Sequence, residues 1–477
     1  ANISVRGTDR FMVAVKNDED WELYYKRNET GEEIKKTVKA RDIFDLLCRN
    51  NWDYAEPGIL YWDRITNWNL VSNDKSFEYA GVNPCAEEPL PAGGSCLLGA
   101  INLAAFVRNG KFDWDDFNRT VKIAVKALNN VLDEGLERHP LAEQRKTVRD
   151  WRQIGLGIMG LADMLIKLGI EYGSPDSIAL CDAIGYSMAR NAIVASADIA
   201  GYAGCYDKYN EQYVTTSPFF AEHIKPDDEE AWSFVKANGM RNSQLLTIAP
   251  TGSISTMIGV SGGIEPIFAN YYERTTKSLH GHDEVYKVYT PIVKEYMDAH
   301  GIKDELGLPS YFVTSATIPI KRRIDMQSVW QKHIDASISS TVNLPNEATV
   351  DDVKDLYMYA WEKHLKGITV YRAGCKRAGI LNADTKKDDE SKLETSSTIL
   401  PRGSIIEPSN DLIGKKRKIQ TGCGSLHVLA FFDPIDGNLQ EVYFNKGSTG
   451  GCANFMTGLS RMVSLLCRAG VDIMTIK

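Results

Sequence analysis

The sequence predicts an α/β fold followed by a small α+β module at its C-terminal end, and three observations predict it. First, "TVNLPNEATVDDVKDLYMYAWEKHLKGITVYRAG", from residue 341, reads as an extended piece, a loop, a helix begun near Thr349 and the strand "GITVY". Strand, crossover helix and strand again is the repeat of an α/β layer or barrel. Second, "SQLLTIAP" (243–250) is a short apolar run ended by proline, the pattern of a buried strand emptying into a loop. Third, from about residue 383 the composition turns polar and charged with little periodicity. Beyond it lie two strand-like runs around Asp436-Gly437 and the helical run "ANFMTGLSRMVSLLCRAG". The expected organisation is an α/β portion over 1–382, a linker over 383–418 that includes the solvated run "KKRK", and a terminal module over 419–477.

Taken in order, the elements start with the strand-like "NISVRG" directly after Ala1, and "RDIFDLLCRN" follows with a helical pattern around Cys48. A chain that opens this way is expected to begin partway through its domain. Residues 81–103, "GVNPCAEEPLPAGGSCLLGAINL", read as a Pro- and Gly-rich loop. Residues 116–136 place Phe117, Val121, Ala124, Leu128, Val131 and Leu132 on one face of an amphipathic helix. "WRQIGLGIMGLADMLIKLGI" (151–170) and "DSIALCDAIGYSMARNAIVASADIAG" (176–201) are expected to continue the helical stretch, with Met and Cys residues such as Cys181 filling the core.

Composition excludes several classes of function. The 477 residues are 43% hydrophobic and 25% charged, as in ordinary globular chains. No run of about 18 apolar residues is present to cross a membrane. A formal net charge of −8 gives no basic field for a nucleic-acid polymer. Nine scattered cysteines point to a reducing cytoplasm rather than a disulfide framework. Cys423 and Cys452 flank the predicted hairpin; as two thiols they fall short of a four-ligand zinc site and are expected to be structural, so no metal ligand is assigned.

Two motifs carry chemistry. Asn83-Pro84-Cys85-Ala86-Glu87 spaces an amide, a thiol and a carboxylate two residues apart, which in an extended backbone turns all three to one side. A carboxylate beside a thiol raises the thiol pKa and disfavours a thiolate nucleophile. One-electron chemistry has no such objection, because a neutral thiol gives up a hydrogen atom. The second motif, "LLTIAPTGSIS", is a strand, a tight turn and a helix start that present Pro250, Thr251, Gly252, Ser253, Ile254 and Ser255 where a helix terminus favours an anion such as phosphate. An ordinary Ser/Thr helix cap reads the same way from sequence. Gly262 and Gly263 in "GVSGGIEP" are expected to permit close backbone approach, and Glu265 has no assigned role.

The blocks "NPCAEEPL", "RQIGLGIMGLADML", "APTGSISTMIGVSGGIEPIF", "TVNLPNEAT", "GITVYRAG" and "TGCGSLHV" stand in the order found in the catalytic chain of ribonucleotide reductases, and the sequence resembles that family, most closely its adenosylcobalamin-dependent class. The resemblance implies a ten-stranded α/β barrel threaded by a finger loop, here about 81–103, and a phosphate turn at about 249–256. It implies that Cys85 is the thiyl radical, that Glu87 takes the 3′-hydroxyl proton, that Asn83 orients the sugar, and that Cys96 is one of two reducing thiols. Where chains served by a metal subunit carry two consecutive relay tyrosines, this one has Val370-Tyr371. That difference implies adenosylcobalamin, although no D-x-H-x-x-G cobalamin signature is present. The implied partners are a ribonucleoside di- or triphosphate, thioredoxin or a similar dithiol, an N-terminal companion fragment or subunit holding the partner of Cys96, and further copies in a homo-oligomer. The alternatives are a large subunit of the metal-subunit class and a non-catalytic nucleotide-binding part of a split reductase.

Overall fold

The structure is a computed structural model that describes residues 3–225, 228–277, 283–376, 411–421, 424–434, 438–446 and 453–468. It divides into two units, 1–385 and 386–477.

In the first unit, parallel pairing runs from strand to strand across the chain. Leu98–Asn102 pairs with Gly155–Met159, which bridges through Leu156 to Leu246; Ile248 bridges to Ile338, and that segment runs on into Thr341–Leu344, which pairs with Gly367–Arg372. The direction then reverses. Gly367 and Ile368 pair antiparallel with Gly58–Tyr61, which pairs parallel with Ser4–Gly7. The expected crossover is present: helix Val350–Glu362 joins the last two parallel strands, and its N-cap Thr349 forms a capping box with Asp352. "NISVRG" is the strand Ser4–Gly7, and Cys48 is buried in helix Ala40–Tyr54.

Helix Trp114–Leu136 buries Phe117, Val121, Val125, Leu128 and Leu132, while Val131 of the predicted face is exposed. Helix Pro175–Ala203 matches the expected helical run, with Cys181 in the core.

The 151–170 stretch differs from expectation. Beyond Trp151, which ends helix Ala142–Trp151, only Leu161–Leu168 is helical, and Gly155–Met159 is a buried strand. A strand covered on both faces is apolar throughout and loses the period-two signal. Its glycines are steric requirements: a Cβ on Gly157 would lie 2.2 Å from the Thr247 carbonyl oxygen, and one on Gly155 would lie 2.3 Å from Glu88 Oε1.

One buried cation ties the strand ends together. Lys366 Nζ donates to the carbonyls of Trp68 (2.6 Å), Asp335 (2.6 Å) and Ala336 (2.5 Å), using all three of its N–H groups. The Asp335 carboxylate accepts from the N–H groups of Leu245 and Leu246.

In the second unit, Gly424–Phe432 pairs antiparallel with Leu439–Lys446, and helix Ala453–Arg468 is present, as expected. A further strand, Ile413–Thr421, takes in Lys415, Lys416, Arg417 and Lys418 and pairs with Gly424–Phe432, so the segment from Ile413 is sheet rather than linker. Its charged residues sit on an exposed strand, where helical and alternating patterns both fail. Cys423, Cys452, Asp436 and Gly437 lie outside the described residues.

Candidate active site

Gly81–Val82 and Pro89–Leu90 pair antiparallel, so the predicted loop is a short hairpin with residues 83–88 at its tip. The tip is turned, not extended as the two-residue spacing implied. Ala86 N–H donates to the Asn83 carbonyl (2.9 Å), and Ala86 has a φ of 65°, a left-handed conformation that costs a non-glycine residue about 1 kcal/mol or more. Asn83 holds the turn shut, because its Oδ1 accepts from Glu88 N–H (3.0 Å).

This folding separates the three predicted groups by burial. Cys85 is exposed at the tip, and Glu87 is buried, with its Oε2 enclosed and unpartnered. Burial raises the Cys85 thiol pKa and Glu87 raises it further. Burial also raises the Glu87 carboxyl, against the lowering effect of Asn83. Cys96, exposed just before strand Leu98–Asn102, is pushed up to about 12, chiefly by partial desolvation. Both thiols are therefore neutral near pH 7, which suits hydrogen-atom transfer and disfavours nucleophilic attack.

The hairpin is fastened to the segment that feeds the second motif, to which the structure gives isolated bridges at Leu246 and Ile248 rather than a full strand. The Glu87 carbonyl accepts from Thr247 Oγ1 (2.6 Å) and from Ser337 N–H (3.0 Å), and Glu88 Oε2 accepts from Gln244 Nε2 (2.7 Å). Thr247 lies a little upstream of Thr251, so the Cys85 hairpin and the 249–256 turn share one supporting segment. Gln244, Thr247, Ser337 and Glu88 were not singled out in the sequence. The adjacent acids at 87 and 88 were its one visible signal, since nothing local marks a contact between residues 87 and 337.

At the turn, Thr251 has a φ of 52° and precedes helix Gly252–Ile258 without capping it. Its hydroxyl instead accepts from Gly263 N–H (2.9 Å). The ordinary cap is thus absent, and Pro250, Gly252, Ser253 and Ile254 are exposed while Ser255 is buried. The glycine expectation holds: a Cβ on Gly262 would lie 2.7 Å from the Pro250 carbonyl oxygen, and one on Gly263 would lie 2.6 Å from that of Ala249. Glu265 is structural, pairing with buried Arg323 and accepting from Thr341 N–H (3.0 Å). Val370 is buried in its strand and Tyr371 half-buried.

A cavity of about 170 Å³ lies behind Cys96, lined also by Leu97, Leu132, His139 and Gln153. A larger one, about 900 Å³, is lined by Asp63, Trp68, Asp325, Lys332 and His364 among others and takes no residue from either motif. Among the described residues no cluster of His, Cys, Asp and Glu is arranged to hold a metal, and no helix is long and apolar enough to cross a membrane.

The profile of the ribonucleotide reductase barrel domain matches residues 1–371, and that of the TSCPD domain matches residues 401–476. A vitamin B12-dependent ribonucleoside-diphosphate reductase of Mycobacterium tuberculosis is 32% identical over 401 residues, covering 81% of this chain and 54% of the relative. Its counterpart from Thermoplasma acidophilum is 34% identical, covering 84% of this chain and 51% of the relative. The chain thus spans about half the length of the curated relatives it matches. The class Id ribonucleotide reductase alpha subunit of Actinobacillus ureae shares the fold, with a TM-score of 0.59 at 19% identity over 78% of this chain and 65% of that one.

Proposed function

Since the chain belongs to the ribonucleotide reductase barrel family, we propose that it carries the catalytic loop for reducing a ribonucleotide to its 2′-deoxyribonucleotide by thiyl-radical chemistry. The observation that carries this reading is an exposed Cys85 thiol on one hairpin tip with a buried Glu87 carboxyl, the hairpin being fastened to the segment that leads into an uncapped turn.

In this reading the Cys85 sulfur radical takes the 3′ hydrogen atom of the ribose, and Glu87 takes the proton of the 3′-hydroxyl. The 2′-hydroxyl then leaves as water. Cys96 and a second thiol supply two electrons and two protons as they close to a disulfide, and Cys85 returns the hydrogen atom to C3′. A dithiol such as thioredoxin restores the pair. Asn83 steers Glu87, and the turn from Pro250 to Ser255 holds the substrate's di- or triphosphate through the backbone N–H groups of its exposed residues Gly252, Ser253 and Ile254.

The residues present fit a cofactor that reaches the loop from outside, because Cys85 is exposed at the tip and Val370 stands where a tyrosine relay needs an aromatic ring. Adenosylcobalamin, when bound, supplies the initiating radical by homolysis of its cobalt–carbon bond. The second thiol comes from an N-terminal companion, the complex acts in the cytoplasm, and the chain assembles into a homo-oligomer.

The test is deoxynucleotide formation with and without adenosylcobalamin, with the companion supplied. Product only with the cofactor is expected. Turnover that instead needs a separate metalloprotein would refute the cobalamin reading, and no turnover under either condition would refute the catalytic one.

A further inference from the structure

Glu88 is the acid that the reaction above does not use, and its surroundings are unusual. It is 1% exposed. Its Oε2 accepts from Gln244 Nε2 (2.7 Å), and Gln244 Oε1 accepts in turn from Gln153 Nε2 (3.0 Å), so a buried amide chain ends on this carboxyl. Its Oε1 is enclosed with no hydrogen-bond partner and packs where only glycine fits, since a Cβ on Gly155 would come within 2.3 Å. The charged and titratable groups around it are Glu87, Asp335, Cys96 and Tyr79, none of them a cation. No ion pair among the described residues involves Glu88. Two neighbouring buried carboxyls cannot both ionise cheaply, and one without a cation stays neutral.

We propose that Glu88 is a positioning residue that carries a proton in the folded chain, so that Glu87 is the single carboxylate beside Cys85 and Cys96. Glu88 touches neither the substrate nor the reacting sulfur. It acts by keeping a second negative charge away from Glu87, which lets Glu87 ionise and serve as base. Burial and the neighbouring acids raise the Glu88 carboxyl well above the usual range, in keeping with this role. The proposal rests on the reading of Glu87 as the base, but two of its tests need no turnover.

The experiment compares the full chain with Glu88→Gln, a neutral isostere. Infrared difference spectra near pH 7 should show a carboxylic-acid carbonyl band that the variant lacks. The alkylation rate at Cys96, followed by peptide mass spectrometry across pH 7 to 9 (roughly the span in which exposed thiols ionise), should agree within about twofold. In the completed reductase, the acid limb of the kcat profile should stay in place for Glu88→Gln. If Glu88 were an anion, the band would be missing, Cys96 would alkylate about tenfold faster in the variant, and the acid limb would move down by about one pH unit; any of these overturns the proposal. Should Glu88→Gln not fold, carboxyl carbon NMR of the unmodified chain decides: a Glu88 resonance titrating in the ordinary range overturns it. Failure of turnover with an intact infrared band would count against the reductase reading alone.

Discussion

Cys85 and Glu87 share a hairpin tip but are opposite in exposure, and their proposed roles make different predictions. Replacing Cys85 by Ser should leave nucleotide binding intact and reduce deoxynucleotide formation to background, measured by product chromatography beside equilibrium binding. Glu87→Gln should lower kcat by about 10² to 10⁴, the usual worth of a positioned base. The pH dependence follows from the same group. As the proposed base Glu87 would work ionised, and burial raises its pKa, so activity should rise with pH through that raised value. Asn83 opposes the rise; in Asn83→Ala the acid limb of the pH–rate profile should therefore move to higher pH. At this scale the sequence was informative in part: Asn83, Cys85 and Glu87 share one hairpin tip, and Cys96 follows beyond its second strand. It did not reveal that the link between Asn83 and Glu87 is a closed turn, because Ala86 adopts a left-handed conformation that no glycine announces.

At the scale of elements, contact between distant segments decided what could be read. Helix Pro175–Ala203 and the crossover after Thr349 were legible because periodicity and capping are local signals. The strand Gly155–Met159 was hidden because its glycines answer to Thr247 and Glu88, residues far away in the chain. Gly157→Ala, which forces a methyl group against the Thr247 carbonyl, should destabilise the unit by about 2–3 kcal/mol, read from urea unfolding. The strand ends depend on Lys366 in the same way. Lys366→Met strands three buried carbonyls that now accept its protons, and the expected loss is about 3 kcal/mol or more.

Across the whole molecule, the α/β class and the small terminal module were visible in the order of strand and helix patterns. The antiparallel reversal between Gly367–Arg372 and Gly58–Tyr61 was not, because pairing between strands so distant in sequence leaves no local trace. The same holds for strand Ile413–Thr421, whose run of basic residues resembles a solvated segment. In the proposed function, turnover depends on a companion that supplies the second thiol. The chain alone, given a ribonucleotide, adenosylcobalamin and dithiothreitol, should give no sustained turnover, and adding the N-terminal companion should restore it. Full turnover by the chain alone would show that the second thiol lies within it.

The central claim is that the sulfur of residue 85 abstracts a hydrogen atom from the ribose. Its most direct test is turnover of a 3′-deuterated ribonucleotide by the completed reductase, set beside the Cys85→Ser variant. A primary isotope effect on kcat/KM is expected with the unmodified chain, and no deoxynucleotide is expected from the variant. Deoxynucleotide formed by the variant would contradict it.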